Sequence, residues 1–210
     1  MNILILGAGN MGSALARQFT QAGHAVRIAA TSLDKARTVA AGIPGSTAVS
    51  ATGSAAASDV VVVATPYEQA VAALRDAGPL AGKVVIDVTN PLTPDYMGLT
   101  IGHDTSASEE IAKAFPGVDV AKAFNTLFAQ VVADGPAFAD GQVARAFYAG
   151  DTERAKATAK ALIESTGFQP VDAGPLKNAR YLEPLAGLNI WFGYGAGHGT
   201  AIAPMWISRA

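Results

Sequence analysis

Short apolar runs alternate with amphipathic stretches through the front half of the chain. The run from Asn2 to Leu6 reads as a buried strand. From Asn10 to Ala22 the apolar residues Met11, Ala14, Leu15 and Phe19 fall on one helical face. A second strand is predicted from His24 to Ala30, and a helix from Ser32 to Ala41 with Ser32 as its N-cap. A weak strand lies around Thr47 to Ser50. The run from Asp59 to Ala64 is apolar without alternation, as a central parallel strand should be. A helix from Pro66 to Asp76 and a strand from Lys83 to Asp87 follow. This β-α-β-α rhythm predicts an α/β fold with a Rossmann-type, doubly wound and mostly parallel sheet.

The back half is less regular. A long loop from Thr89 to Ser106 carries two X-Pro steps, and loops of that length in a compact domain are often functional. Beyond it the pattern predicts a helix from Ala107 to Phe115 and strands from Val118 to Ala123, Ala144 to Gly150 and Gln169 to Asp172. It also predicts a helix capped by Asp151 and running through Ser165, and a helix from Asn178 onward. No linker or repeat divides the chain. We read a dinucleotide-binding core over 1–126 and a small C-terminal α/β extension over 127–210.

Composition narrows the function. Half of the 210 residues are hydrophobic and 15% are charged, which excludes a disordered chain. Net charge is −2 with no basic run, so neither nucleic acid nor an anionic membrane is expected as a partner. Cysteine is absent, which excludes thiol chemistry and fits the cytoplasm. The N-terminal pattern predicts no signal peptide. The stretch from Leu185 to Ile207 has no Asp, Glu, Lys or Arg but contains five glycines. It is expected to form a buried wall, a pocket floor or an oligomer contact rather than a membrane span.

The sharpest motif is Gly7-Ala8-Gly9-Asn10-Met11-Gly12, between the first strand and the first helix. Gly7 permits the tight turn, Gly9 lets a pyrophosphate approach the backbone, and Gly12 lets helix and sheet pack closely. The helix N-terminus then offers free N–H groups to the phosphates. The second strand ends in Ala29-Ala30-Thr31-Ser32, with no acid to bind a ribose 2′-hydroxyl. Thr31 and Ser32, with Lys35 and Arg37 beyond, favour NADP(H) over NAD. Lys35 and Arg37 could equally form a solvated helix face. Ala64-Thr65-Pro66 and Asn90 lie past the ends of two further strands, where ligands of open α/β sheets bind; the alternative role for Thr65 and Asn90 is only to cap or shape turns.

No convincing acid–base pair accompanies this cradle. His24 sits at the far sheet end, and His103 and His198 lie outside any motif. Metal-ligand spacing is also missing, so neither a catalytic residue nor a metal is assigned. Reducing a carbonyl usually calls for a positioned proton donor. Hydride transfer between two flat rings needs mainly a dry slot that stacks them.

Four segments resemble the coenzyme F420-dependent NADP oxidoreductases. They are Gly7 to Gly12, Val85 to Leu92, Ala121 to Thr126, and Asp172 to Arg180 continuing to Glu183-Pro184. The chain is also similar to the cytosolic domain of six-transmembrane metalloreductases. The resemblance implies a homodimeric NADP-dependent enzyme that passes a hydride between NADP(H) and F420, FMN or FAD. It implies that Ala123, Asn125 and Thr126 join the cofactor site. The acceptor would lie near Asn125, Leu188, Asn189 and the tail glycines, of which we single out Gly195 and Gly197. Archaeal members carry histidine where this chain has Asn125, which leaves the acceptor open. Two other readings stand beside this one. One is an NADP(H)-sensing module without turnover. The other is a small-substrate reductase like pyrroline-carboxylate reductases or β-hydroxyacid dehydrogenases, whose long helical domain does not fit the strands predicted here.

Overall fold

The computed structural model describes residues 1–207 and 209. Eight strands form one sheet in the order β3-β2-β1-β4-β5-β6-β7-β8. In chain order these are β1 (Asn2–Leu6), β2 (Ala25–Ala29), β3 (Ser46–Ala48), β4 (Val60–Val63), β5 (Val84–Asp87), β6 (Asp119–Ala123), β7 (Arg145–Gly150) and β8 (Gln169–Asp172). Strands β1 to β6 are parallel. β7 runs antiparallel to β6, and β8 runs parallel to β7. The helices are α1 (Asn10–Gln21), α2 (Leu33–Ala41), α3 (Tyr67–Ala77), α4 (Ala107–Ala114), α5 (Ala129–Asp134), α6 (Glu153–Ser165) and α7 (Ala179–Ile190). The fold is the expected α/β Rossmann-like one.

Pleating explains the two-sided burial. Ile3, Ile5, Val60, Val62, Val84 and Ile86 face one core, with Leu15 and Phe19 of α1 and Leu162 and Ile163 of α6. Leu4, Leu6, Val61, Val63 and Val85 face the other, with Leu74 of α3 and Ile111 of α4. Both faces of β4 are therefore covered, so its sequence is an unbroken valine run. The strand order reverses between β1 and β4. That switch point opens a crevice outside their carboxyl ends.

Three local readings change. Helix α5 was not anticipated. It is only six residues long, and no side chain caps its start. The cap of α6 is Thr152, whose hydroxyl accepts from the Ala155 N–H at 3.1 Å. Asp151 instead accepts from the Leu176 N–H at 2.8 Å. The glycine-rich tail does not form a wall throughout. After α7 the chain makes a π-helical turn over Trp191–Gly195, and Leu188, Trp191, Phe192, Trp206 and Ile207 stay exposed. Among the described residues no helix is long and apolar enough to cross a membrane.

Candidate functional site

The glycine turn is fixed by close packing of backbone on backbone. Gly7 has φ +120°, and a Cβ there would lie 2.3 Å from the Ala64 carbonyl oxygen. A Cβ on Gly12 would lie 2.0 Å from the Gly7 oxygen, so α1 can approach the turn only through glycine. Gly12 is buried and acts through this packing, without lining a cavity. Around Gly9 a Cβ would meet nothing within 4 Å, which leaves open space above the turn. No side chain caps α1, so its first N–H groups remain available to an anion.

Two cavities meet at this turn, sharing Gly9, Ala64, Thr65 and Pro66. The smaller, about 650 Å³, is lined by Gly7, Ala8, Thr31 and Lys35, and also by Gln69 and Asp76. Ser32 lies outside it, because its hydroxyl caps α2 by accepting from the Lys35 N–H at 3.2 Å. Arg37 is also outside and pairs with Asp34 at 3.1 Å.

The larger cavity, about 700 Å³, runs from Asn10 and Met11 past Thr89, Asn90, Asn125 and Thr126 to Ala186, Asn189, Ile190 and Tyr194 on the C-terminal segment. Its titratable side chains are Tyr67, Glu68, Tyr96 and Tyr194, with no His, Lys, Arg or Asp in its lining. Burial, and then the nearby carboxylates of Glu110, Glu183 and Asp87, push the Tyr67 phenol above its ordinary value. It therefore stays protonated near neutrality. Four buried side-chain oxygens have no partner, namely Oγ1 of Thr65, Thr89 and Thr126 and Oδ1 of Asn125. All four residues line this one cavity. Buried polar groups are normally hydrogen-bonded, so these four oxygens are open to partners inside the cavity.

A charged network lies behind the cavity. Lys122 is fully buried on β6. Its Nζ donates to Asp87 Oδ2 at 2.7 Å, reaches Glu183 Oε1 at 2.8 Å and donates to the Thr89 carbonyl at 2.7 Å. Ser108 donates to Asp87 Oδ2 at 2.6 Å, and the Ala107 N–H at the start of α4 donates to Glu183 at 3.0 Å. Burial alone would lower the Lys122 pKa, but Asp87 and Glu183 together hold it above the ordinary lysine value. Burial raises the Glu183 carboxyl, against the pull of Lys122 and of the Ala107 N–H. These three residues fall within the segments that carry the resemblance, but as single charges in the sequence they form no motif.

Several expected residues lie elsewhere. Ala123 is wholly buried under the sheet end, closed off from both cavities by core packing. Leu188 points outward from α7 at 51% exposure, while Asn189 beside it faces in and donates to the Thr126 carbonyl at 3.1 Å. Gly195 packs on Trp191, where a Cβ would come within 2.9 Å of the indole, and Gly197 is exposed beyond the π-helical turn. Neither glycine lines either cavity; Tyr194 takes that position. His24 contacts the N-terminal amine and Ser165 at the opposite sheet end. His103 and His198 are exposed and line neither cavity. No cluster of three metal-ligating residues exists among the described residues.

Comparison with known proteins adds independent support. The family described as "NADP oxidoreductase coenzyme F420-dependent" matches residues 2–91. A protein from Arthrobacter sp. FB24, provisionally assigned as an F420-dependent NADP-reductase, has a crystal structure similar to this chain. The TM-score is 0.84 at 30% identity, over 96% of each chain. A hypothetical protein from Sinorhizobium meliloti gives 0.76 at 32% identity, over 85% of this chain and 88% of that one. Metalloreductase STEAP3 from Rattus norvegicus is 32% identical over 191 residues, which is 89% of this chain and 37% of the relative. The chain thus spans only about a third or less of the curated relatives it matches. A reductive aminase from Aspergillus terreus, in complex with NADPH, shares the fold at 21% identity and a TM-score of 0.68.

Proposed function

The chain belongs to the family of coenzyme F420-dependent NADP oxidoreductases, and from that premise we propose that it moves a hydride between NADP(H) and a flat deazaflavin or flavin ring. The smaller cavity would take the adenosine end, with Thr31 and Lys35 donating to the 2′-phosphate. Gly7, Ala8, Gly9, Asn10 and Met11 would hold the pyrophosphate at the start of α1. Thr65, Asn90, Asn125 and Thr126 would surround the nicotinamide and the acceptor ring in the larger cavity. Bound NADPH supplies the hydride itself. The protein's part is to align two rings, exclude water between them, and offer fixed polar atoms to their edges.

The observation that carries this reading is the character of the larger cavity. It joins the glycine turn, and its lining holds no histidine, lysine, arginine or aspartate. So little charge suits two stacked flat rings, and it leaves the Tyr67 phenol as a protonated group at their edge. The proton that accompanies ring reduction would come from solvent. The exposed Leu188, Trp191, Phe192, Trp206 and Ile207 are read as the contact of a homodimer, which sedimentation would detect.

Mixing the purified protein with NADPH and F420, FMN or FAD, and following the loss of nicotinamide absorbance, tests the reading. Oxidation with at least one acceptor is expected. Tight NADPH binding without transfer to any of them would instead favour the sensing module.

A further inference from the structure

We propose that Asn125 reads the edge of the ring bound in the larger cavity, with its Oδ1 acting as a fixed acceptor for a ring-borne N–H group. The inference rests on the hydride-transfer reading, which puts a ring there. Asn125 is 3% exposed, and both of its amide hydrogens have protein acceptors. Nδ2 donates to Asn90 Oδ1 at 2.9 Å and to the Leu182 carbonyl at 3.0 Å. Turning the amide over would set Oδ1 against two acceptors, so its orientation is determined. Oδ1 is then left buried without a donor. The other three unpartnered atoms, on Thr65, Thr89 and Thr126, are hydroxyls that can rotate and either donate or accept. Of these four atoms, Asn125 Oδ1 alone is acceptor-only and cannot turn.

The residues that fix this amide are themselves fixed from behind. Asn90 follows Thr89, whose carbonyl accepts from Lys122, and Asn90 Nδ2 donates back to the Asn125 carbonyl at 2.9 Å. Leu182 precedes Glu183, which Lys122 and the start of α4 hold. Phe124, fully buried, takes φ +59°, a left-handed conformation that is costly for an aromatic residue. That bend turns the chain off β6 and delivers Asn125 to the cavity. The buried network thus serves as a positioning device for one acceptor atom.

Two ring edges could supply the N–H: the carboxamide of nicotinamide, or the imide of a flavin or deazaflavin. Calorimetry with NADP+ and its 3-acetylpyridine analogue, which has a methyl ketone in place of the amide, distinguishes them when paired with lumiflavin and 3-methyllumiflavin. If the carboxamide is the donor, the protein should prefer NADP+ by about tenfold, the usual scale for one buried hydrogen bond. Asn125→Ala should bring that ratio near one. If the imide is the donor, the same collapse should appear in the lumiflavin pair. Asn90→Ala, which removes one of the two acceptors that orient the amide and leaves the Leu182 carbonyl, should shrink the same ratio in part, and it serves as the test if Asn125→Ala fails to fold. Intact binding with both ratios unchanged by the variants would overturn the inference alone. A folded wild-type protein that binds neither NADP+ nor a flavin would overturn the hydride-transfer reading, and this inference with it.

Discussion

At the β1–α1 turn the cleft is lined by backbone, and its shape depends on atoms that are missing from Gly7, Gly9 and Gly12. Outside β5 and β6 it is lined by side chains, held by a buried lysine between two carboxylates. The first end should tolerate changes of charge and reject a Cβ at Gly7 or Gly12. The second should tolerate small changes of shape and reject the loss of its cation. A surface that must meet phosphates needs free N–H groups and space. A surface that must meet ring edges needs polar atoms at fixed positions.

Lys122→Met should have the largest effect. It leaves Asp87 and Glu183 buried without their cation, which costs about 3–5 kcal/mol. Urea unfolding should show this loss. Acid should partly restore the variant, because protonating the orphaned carboxyls removes the buried charge. A loss below about 1 kcal/mol would mean that the network does not hold this end of the cleft.

Gly12→Ala comes next, because its Cβ would meet the Gly7 oxygen at 2.0 Å. Overpacking of backbone should cost about 1–3 kcal/mol or more and weaken NADPH binding at the same time. Unchanged stability and affinity would show that α1 can shift, contrary to the close-packed turn.

Thr31→Ala with Lys35→Ala should weaken NADPH binding about tenfold and leave NADH affinity unchanged, as titration by fluorescence would read. Equal losses for both cofactors would remove these residues from the 2′-phosphate site.

Glu183→Gln should change stability least near neutral pH, by about 1 kcal/mol or less, because the Lys122–Asp87 pair remains balanced. The sign of its pH effect follows from the raised Glu183 pKa. The folded carboxyl holds its proton more tightly than the unfolded one. Its contribution is therefore most favourable below the ordinary glutamate value and is lost as pH rises through the raised one. The glutamine variant should lose less stability than wild type across that interval. A steeper loss would mean that the pKa is depressed instead.

The two ends also differed in how far the sequence revealed them. The glycine turn is local, and each of its contacts lies within a few residues or one strand away. Spacing alone therefore identified it, down to the position of Gly9. Asp87 and Lys122 were visible only as charges at the ends of apolar strands, 35 residues apart. Glu183 meets the start of α4 across 76 residues of sequence, and no periodicity carries that information. The alternating glycines of the tail suggested a ring pocket. Helical phase decides instead that Asn189 and Tyr194 face the cavity, while Leu188, Gly195 and Gly197 do not. The Ser32 hydroxyl caps α2 as the sequence predicts, and that same bond takes it off the cavity wall.

The central claim is direct transfer between two rings. NADPH carrying deuterium at its transferring carbon, mixed anaerobically with the protein and F420 or FMN, tests it most directly. Direct transfer predicts protein-dependent NADPH oxidation that deuterium slows, with the label retained on the ring carbon of reduced F420 when F420 is the acceptor. NADPH that binds but stays unoxidised with every ring acceptor would contradict it.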